Sequence, residues 1–268
     1  MALSLVIPAP ALAQDQAADA PELRELCTER PGLTTAACTV DPGHFQIELG
    51  LADWERDTDG DGRETTLGLA QTQVRYGLAA TTELQVGWTA FTRMVRKDYS
   101  SEVSERSSGI GDVTIGLKQN LRHPQEKGNG IAAGLLAYAT LPTATNGVGD
   151  GDWSAGLIVP LSYKFSDTVA FAISPRIEAA TDEDRSGRHL AYGSAAGFQF
   201  TIAEKFRIAP ELELTRDQDP QGSTTRASAA LSLAWRTDDL TQLDFQTTMG
   251  LNADTPDVRF GLGISRKF

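Results

Sequence analysis

The sequence predicts an all-β protein, an antiparallel transmembrane β-barrel of twelve strands with short periplasmic turns and longer acidic extracellular loops. Three observations lead there. Apolar residues recur at every second position in segment after segment from His44 onward, the connections alternate between tight and long, and the chain ends on a strand that closes with a bare aromatic residue. Alternation is the period of a strand with one apolar and one polar face. In the final stretch Val258, Phe260, Leu262 and Ile264 alternate with Arg259, Gly261, Gly263, Ser265 and Lys267 before Phe268. As an open sheet edge this strand would invite aggregation, whereas in a closed barrel it pairs with the first strand and has no edge to protect.

Composition narrows the function. In 268 residues, 24 Lys plus Arg stand against 36 Asp plus Glu, a formal net charge of -12 that argues against nucleic acid or any other polyanion as a partner. Mean hydropathy of -0.26 is too polar for a helical membrane protein. A barrel tolerates such polarity because only alternate residues meet lipid. No cofactor is implied.

Residues 1–13 read as a signal peptide, with an apolar run from Leu3 to Leu12 and a small-residue cleavage site at Ala11-Leu12-Ala13. The basic n-region expected before that run is missing, which points to a start placed too late or to a truncated chain. Residues 14–43 read as a polar periplasmic N-terminal extension with one helical turn around Glu22 to Leu26. Cys27 and Cys38 are the only cysteines, and in an exported chain such a pair is expected to form a disulfide, contributing about 3 kcal/mol by loop entropy. The sequence leaves open whether the extension hangs free or enters the barrel mouth.

Residues 44–268 form the barrel. Phe45, Ile47, Leu49 and Leu51 make the first apolar face, while the second segment, about Thr65 to Tyr76, is ambiguous because Leu67 and Leu69 oppose Val74 and Tyr76. Leu84, Val86 and Trp88 mark the third, Val113, Ile115 and Leu117 the fourth, Ile131 to Leu141 the fifth, and Trp153 to Tyr163 the sixth. The seventh carries Val169, Phe171, Ile173 and Ile177, and the eighth Leu190, Tyr192, Phe198 and Phe200. Phe206 to Leu214, Ala227 to Trp235, Leu243 to Leu251 and the terminal strand complete the set. Tight connections (Leu78 to Thr82, Ser166-Asp167, Ala203-Glu204, Thr237 to Asp239) alternate with acidic ones (Asp57 to Glu64, Asp98 to Arg106, Asn146 to Asp152, Thr181 to Arg188, Arg216 to Gly222, Asn252 to Asp257). That asymmetry, with an even strand count, puts both termini in the periplasm. Arg122 to Gly130 departs from it by being long on the tight side.

A weak repeat relates Phe171-Ala-Ile-Ser-Pro-Arg-Ile-Glu178 to Phe206-Arg-Ile-Ala-Pro-Glu-Leu-Glu213, and a bulge is expected at each proline, Pro175 and Pro210, because each removes a ladder donor. Segments of roughly eleven residues at about 3.3 Å rise, tilted about 40°, reach nearly 30 Å, enough to cross the apolar band. A soluble β-sandwich or lipocalin-like barrel would have to hide every one of these apolar faces, and the chain offers no helices to cover them.

The polar face supplies the candidate site. With apolar positions toward outer-membrane lipid, Gln46, Glu48, Gln85, Asp112, Lys118, Arg176, Glu178, Arg207, Glu211, Glu213, Arg226, Asp244, Gln246 and Arg259 point into the lumen. Charges there mean either a wet channel or a salt-bridged filling. Asp57-Thr-Asp-Gly-Asp-Gly62 matches the start of a calcium loop through Asp57, Asp59 and Asp61, but Gly68 stands where the bidentate Glu belongs, so an acidic hairpin loop is the better reading. The three histidines, His44, His123 and His189, have no nucleophile at a catalytic spacing, so an enzyme is not expected.

Ser108-Gly-Ile-Gly-Asp-Val-Thr-Ile-Gly-Leu-Lys118, the Leu141-Pro-Thr-Ala144 corner, and Glu29-Arg-Pro-Gly-Leu-Thr-Thr leading to Val40-Asp-Pro-Gly-His-Phe-Gln-Ile-Glu48 resemble the outer-membrane family labelled for meta-pathway phenol degradation, often called simply transporter. The resemblance runs from about Cys27 to Phe268, with Ala144 where the family usually has Gly. It implies a barrel for uptake of small, often aromatic, compounds. The expected function is thus a passive outer-membrane channel for a small-molecule solute. The alternative is a non-conducting structural or interaction barrel presenting acidic surface loops. In similar barrels a C-terminal Phe is the sorting signal for the barrel-assembly machinery, a role that falls here to Phe268, with Arg266 the departure from an apolar third position.

Overall fold

A computed structural model describes residues 23–101, 103–123, 129–185 and 187–268. The signal peptide assigned to residues 1–13 lies outside them, as do residues 124–128 of the one long tight-side connection. Wherever the sequence alternates, the backbone is extended: β1 (Phe45–Thr58), β2 (Gly62–Ala79), β3 (Thr82–Asp98), β4 (Ser104–Gly109), β5 (Val113–Arg122), β6 (Gly130–Leu141), β7 (Ser154–Ile158), β8 (Leu161–Lys164), β9 (Val169–Thr181), β10 (Arg188–Ile202), β11 (Phe206–Asp217), β12 (Thr224–Asp238), β13 (Thr241–Gly250) and β14 (Val258–Lys267). β4 and β5 both pair with β3, and β7 and β8 both pair with β6 and with β9, so each couple is one interrupted crossing. The fourteen strands are therefore twelve crossings of a single antiparallel sheet.

The sheet closes on itself. β14 pairs with β1 from Gln46↔Lys267 to Arg56↔Val258. Phe45 and Phe268 extend that ladder by exchanging both backbone hydrogen bonds, at 3.2 and 2.7 Å. The edge that would otherwise aggregate is thus consumed by pairing.

The ambiguity of the second segment has a local cause. Gly50 pairs with Gln71 and Ala52 with Leu69, and on the other side Gln71 pairs with Thr89 and Leu69 with Phe91, so Leu51, Ala70 and Ala90 are passed over together. Ala70 has a left-handed backbone, φ 52°. One extra residue reverses the face of everything beyond it. Leu67 and Leu69 can therefore share the outer wall with Val74 and Tyr76.

Two expectations need correction. The register is unchanged across both prolines: Ile158↔Arg176 and Leu161↔Ile173 stay in phase around Pro175, and Gly197↔Glu211 and Phe200↔Ile208 around Pro210. Each proline interrupts the ladder locally instead of adding a bulge, because the missing N–H removes a bond without requiring an extra residue. The first acidic loop is also shorter than the charge pattern implies. Asp57↔Glu64 and Thr58↔Arg63 are ladder pairs, since nothing in an alternating polar strand stops it from continuing beyond the membrane.

Tight turns gather at one rim, together with the β5–β6 connection, and the other long connections at the opposite rim. Ala203 and Glu204, with φ of 52° and 49°, are consecutive left-handed residues in the three-residue connection between Ile202 and Phe206. Aromatic pairs ring the turn rim, Phe45 with Tyr76 at 4.5 Å and Tyr163 with Phe165 at 4.8 Å between centroids. The large apolar side chains Leu117, Leu157, Phe198, Leu231 and Leu262 stand exposed on the outer wall, the surface that lipid would cover.

Candidate functional site: the lumen and its plug

The stretch before β1 is inside the barrel. Leu23 to Gly43 has only one isolated bridge, Pro42↔Gly77, so its backbone groups need partners from elsewhere. The wall supplies them. Glu48 accepts the N–H groups of Glu29 (3.0 and 2.9 Å) and Arg30 (2.9 Å), Glu211 those of Leu33 (2.9 Å) and Thr34 (3.0 Å), Ser174 that of Thr35 (2.9 Å), Gln246 that of Gly32 (3.1 Å), and Glu83 that of Val40 (2.7 Å). In the other direction Gln46 donates to the Cys27 carbonyl (2.8 Å), Asn120 to that of Ala37 (2.7 Å) and Gln242 to that of Arg30 (2.8 Å). Cys27 and Cys38 are disulfide-bonded, which closes this segment into a loop. The helical turn expected around Glu22 to Leu26 is absent from the described residues Leu23 to Leu26. Their carbonyls go instead to Lys267, which takes Arg24, and to Arg236, which takes Leu26.

Arg75 is the hub. Its guanidinium reaches Glu48 at 2.9 Å and Glu83 at 2.9 and 3.0 Å, and donates to the carbonyls of Cys27 (2.7 Å) and Cys38 (3.2 Å). The side chains of Arg75, Glu48, Glu83 and Lys118 are all fully buried. Lys118 pairs with Glu29 of the plug and stands 3.4 Å from Glu83. Arg30 of the plug reaches Asp244 at 3.2 Å, and a Cβ on Gly263 would collide with its guanidinium. Near the turn rim Lys267 (3.0 Å) and Arg24 (2.8 Å) converge on Asp41. Burial alone would raise that carboxyl's pKa, but hydrogen bonds from Arg24 and Lys267, with the charge of Lys267, hold it below the usual carboxylate range.

Of the residues expected in the lumen, Gln46, Glu48, Lys118, Glu211, Asp244 and Gln246 hold the plug directly, and Gln85 bonds to Glu83 (2.7 Å) and takes the amide of Gln73 (2.9 Å). Arg207 donates to Gln242. A second group lies toward the loop rim, where Arg176 pairs with Glu213 (3.0 Å), Glu178 accepts the Tyr138 hydroxyl (2.9 Å) and Arg259 pairs with Asp53 (2.6 Å). Asp112 sits between β4 and β5 and accepts the N–H groups of Thr143 and Ala144, each at 2.8 Å, fixing the Leu141 corner. Arg226 is exposed, in register with Thr215. Arg75, Glu83, Asn120, Gln242 and Lys267 escaped the sequence reading. Arg75 lies just past the phase reversal at Ala70, and Glu83 and Lys267 sit at strand ends, where alternation gives least guidance. In the Asp57–Asp61 loop, Asp59 accepts the N–H groups of Asp61 (2.8 Å) and Gly62 (2.7 Å), the geometry of an Asx turn.

The plug stands between two cavities. One, of about 340 Å3, lies toward the turn rim against Ser162, Ala172, Gln199 and Arg236; the other, of about 430 Å3, lies toward the loop rim against Gln71, Gln73, Thr114, Leu136 and Tyr138. Glu29 and Arg30 line both.

A closed barrel with a lipid-type exterior and a charged, filled interior is the architecture of the outer-membrane class. The chain belongs to the family described as "Putative MetA-pathway of phenol degradation", whose model matches residues 28–268. Among solved structures, the transport unit of the autotransporter AIDA-I from Escherichia coli is similar at TM-score 0.52 and 10% identity, over 84% of this chain and 90% of that one. The NanC porin is similar at TM-score 0.49 and 13% identity, over 84% and 100%. The CymD monoaromatic hydrocarbon channel is similar at TM-score 0.44 and 11% identity, over 85% and 88%. No curated protein matches the chain. By family and fold the protein is an outer-membrane-type β-barrel.

Proposed function

We propose that the protein is a passive outer-membrane channel for small molecules, hydrophobic or aromatic compounds among them, and that the loop closed by Cys27 and Cys38 is its stopper. The observation that carries the reading is the pair of cavities, about 340 and 430 Å3, on either side of one loop. Both fall within the roughly 300–1,000 Å3 of small-molecule pockets. The cavity toward the loop rim mixes Leu136, Ile158 and the Tyr138 ring with the amides of Gln71, Gln73 and Gln85, which suits a compact ring carrying a polar group. The family's description in terms of phenol degradation supports that solute class. In this reading the long loops face outward, both termini lie in the periplasm, and the barrel-assembly machinery inserts the chain.

Liposome swelling and single-channel conductance test it on the mature protein and on a variant lacking residues 23–43. Low conductance that rises when the stopper is removed is expected. Barrels sealed to every solute in both forms would sink the proposal.

A second reading is favoured by the buried cluster of Arg75, Glu48, Glu83, Lys118 and Glu29, which packs the lumen with paired charges: a non-conducting barrel that serves as a scaffold. Sealed liposomes together with an unaltered fold after stopper removal would support it.

A further inference from the structure

One cluster of ligating side chains takes no part in holding the plug. His189, the second residue of β10, is 6% exposed and lies among three carboxylates at the loop rim. Its Nδ1 is 2.9 Å from Asp182 and 3.3 Å from Asp219, and its Nε2 is 2.6 Å from Asp217. Asp182 comes from the β9–β10 connection. The β10–β11 register, which sets Ala191 opposite Asp217, delivers Asp217 and then Asp219.

The charge does not balance. Among the described residues, every ion pair of Asp182, Asp217 and Asp219 runs to this one imidazole, and no Lys or Arg reaches any of the three. Side chains of Asp182 and Asp219 are only 12% and 11% exposed. Carboxylates this enclosed ordinarily have a cationic partner or coordinate a metal, and one imidazolium neutralises only one of three. His189 Nε2 and Asp217 Oδ1, both buried, face each other closely without hydrogen-bond alignment, and neither has another hydrogen-bond partner.

We infer that Asp182, His189 through Nδ1, and Asp219 form a binding site for a divalent transition metal of the zinc class, with Asp217 as the carboxylate behind the histidine. One ligand atom from each of the three lies within 4.8 Å of the others. Bonds of about 2.0–2.2 Å at angles between square and tetrahedral separate neighbouring ligand atoms by about 2.8–3.6 Å, and the two Nδ1–oxygen separations, 2.9 and 3.3 Å, fall in that window. An imidazole with two carboxylates suits zinc, nickel or cobalt rather than calcium, which takes oxygen alone. A metal on Nδ1 leaves the proton on Nε2, where Asp217 receives it after a small ring rotation, the usual support of a metal-binding histidine. Backbone N–H groups of Glu183 (2.8 Å) and Gln221 (2.7 Å) orient Asp219. The ion would staple the β9–β10 connection to the β11–β12 connection, whether or not the barrel conducts.

The test uses the mature protein in detergent micelles, stripped with EDTA and titrated with Co2+ and Zn2+. One equivalent of Co2+ with a visible ligand-field band, displaced by Zn2+, is expected. His189→Gln and Asp219→Asn should lose the band while keeping the heat-modifiable mobility of a folded barrel, and Asp217→Asn should weaken affinity by about 10- to 100-fold. Zn2+ should also protect the bonds after Arg185 and Arg216 from trypsin. Wild type that takes up no metal, or His189→Gln that binds as tightly as wild type, overturns the assignment and leaves a proton shared among the carboxylates.

Discussion

Arg75 and Glu83 face each other across the β2–β3 hairpin as a two-pronged ion pair, Nε to Oε1 at 2.9 Å and Nη2 to Oε2 at 3.0 Å, with both side chains fully buried. The same guanidinium holds the carbonyls of both cysteines, so the wall and the stopper are joined at one group. Arg75→Met leaves Glu48 buried without a cationic partner and Glu83 with Lys118 alone, and breaking a buried pair ordinarily costs about 3–5 kcal/mol. The temperature at which the folded band disappears from gels should fall accordingly. Arg75→Lys should fall part of the way, since an ammonium keeps the charge but not the fork. Unchanged band stability in both variants would show that the cluster contributes nothing to the fold.

The contact between Glu211 and the plug separates stopper from wall more cleanly. Its carboxylate accepts the N–H groups of Leu33 and Thr34 and the Thr34 hydroxyl (2.7 Å). Glu211→Ala strands those donors at about 1–3 kcal/mol while leaving the β11 ladder intact. Glu211→Gln keeps an acceptor. The expected result is higher single-channel conductance or more frequent opening for the alanine variant than for the glutamine one. Identical traces would argue that the loop does not set conductance.

Acid should loosen the start of the plug. Asp41 is held below the usual carboxylate range by Arg24 and Lys267, so its contribution is present above its unfolded pKa and is lost as pH falls through the lower folded value. Anchoring should hold from neutral pH to about pH 4 and weaken below it. Hydrogen exchange of residues 23–43 across that range is the measurement. In Asp41→Asn the acid step should vanish, and a step that survives would assign the effect to another group.

The parts legible in the sequence share one property: they repeat at short range. Alternation from Phe45 to Leu51 or from Val258 to Ile264 is the pleat itself, and it set the strands, the closure and the two kinds of connection. Leu23 to Gly43 has no such period, because its hydrogen bonds go to side chains such as Glu211 and Gln246, far along the chain. Polarity shows that such a segment is not wall, without showing where it goes. The phase reversal at Ala70 hid Arg75. His189 stood apart from any Asp partner except Asp182, because Asp217 and Asp219 arrive only through the β10–β11 register.

Chain closure gives the last prediction. The N–H and C=O of Phe268 both bond to Phe45, at 2.7 and 3.2 Å, forming the final rung between the first and last strands. Arg266 points outward instead, its guanidinium 5.6 Å from the Phe268 ring and 3.1 Å from the Thr241 hydroxyl. That placement lets its aliphatic stem lie along apolar surface while the charge stays at the rim, as a snorkelling arginine does. Deleting Phe268 removes a rung and the terminal aromatic together, whereas Arg266→Tyr keeps both and adds a ring suited to the interface. The deletion should therefore reduce folded barrel in outer-membrane fractions more than the substitution does. Equal yields would mean that neither the last rung nor the terminal ring limits assembly.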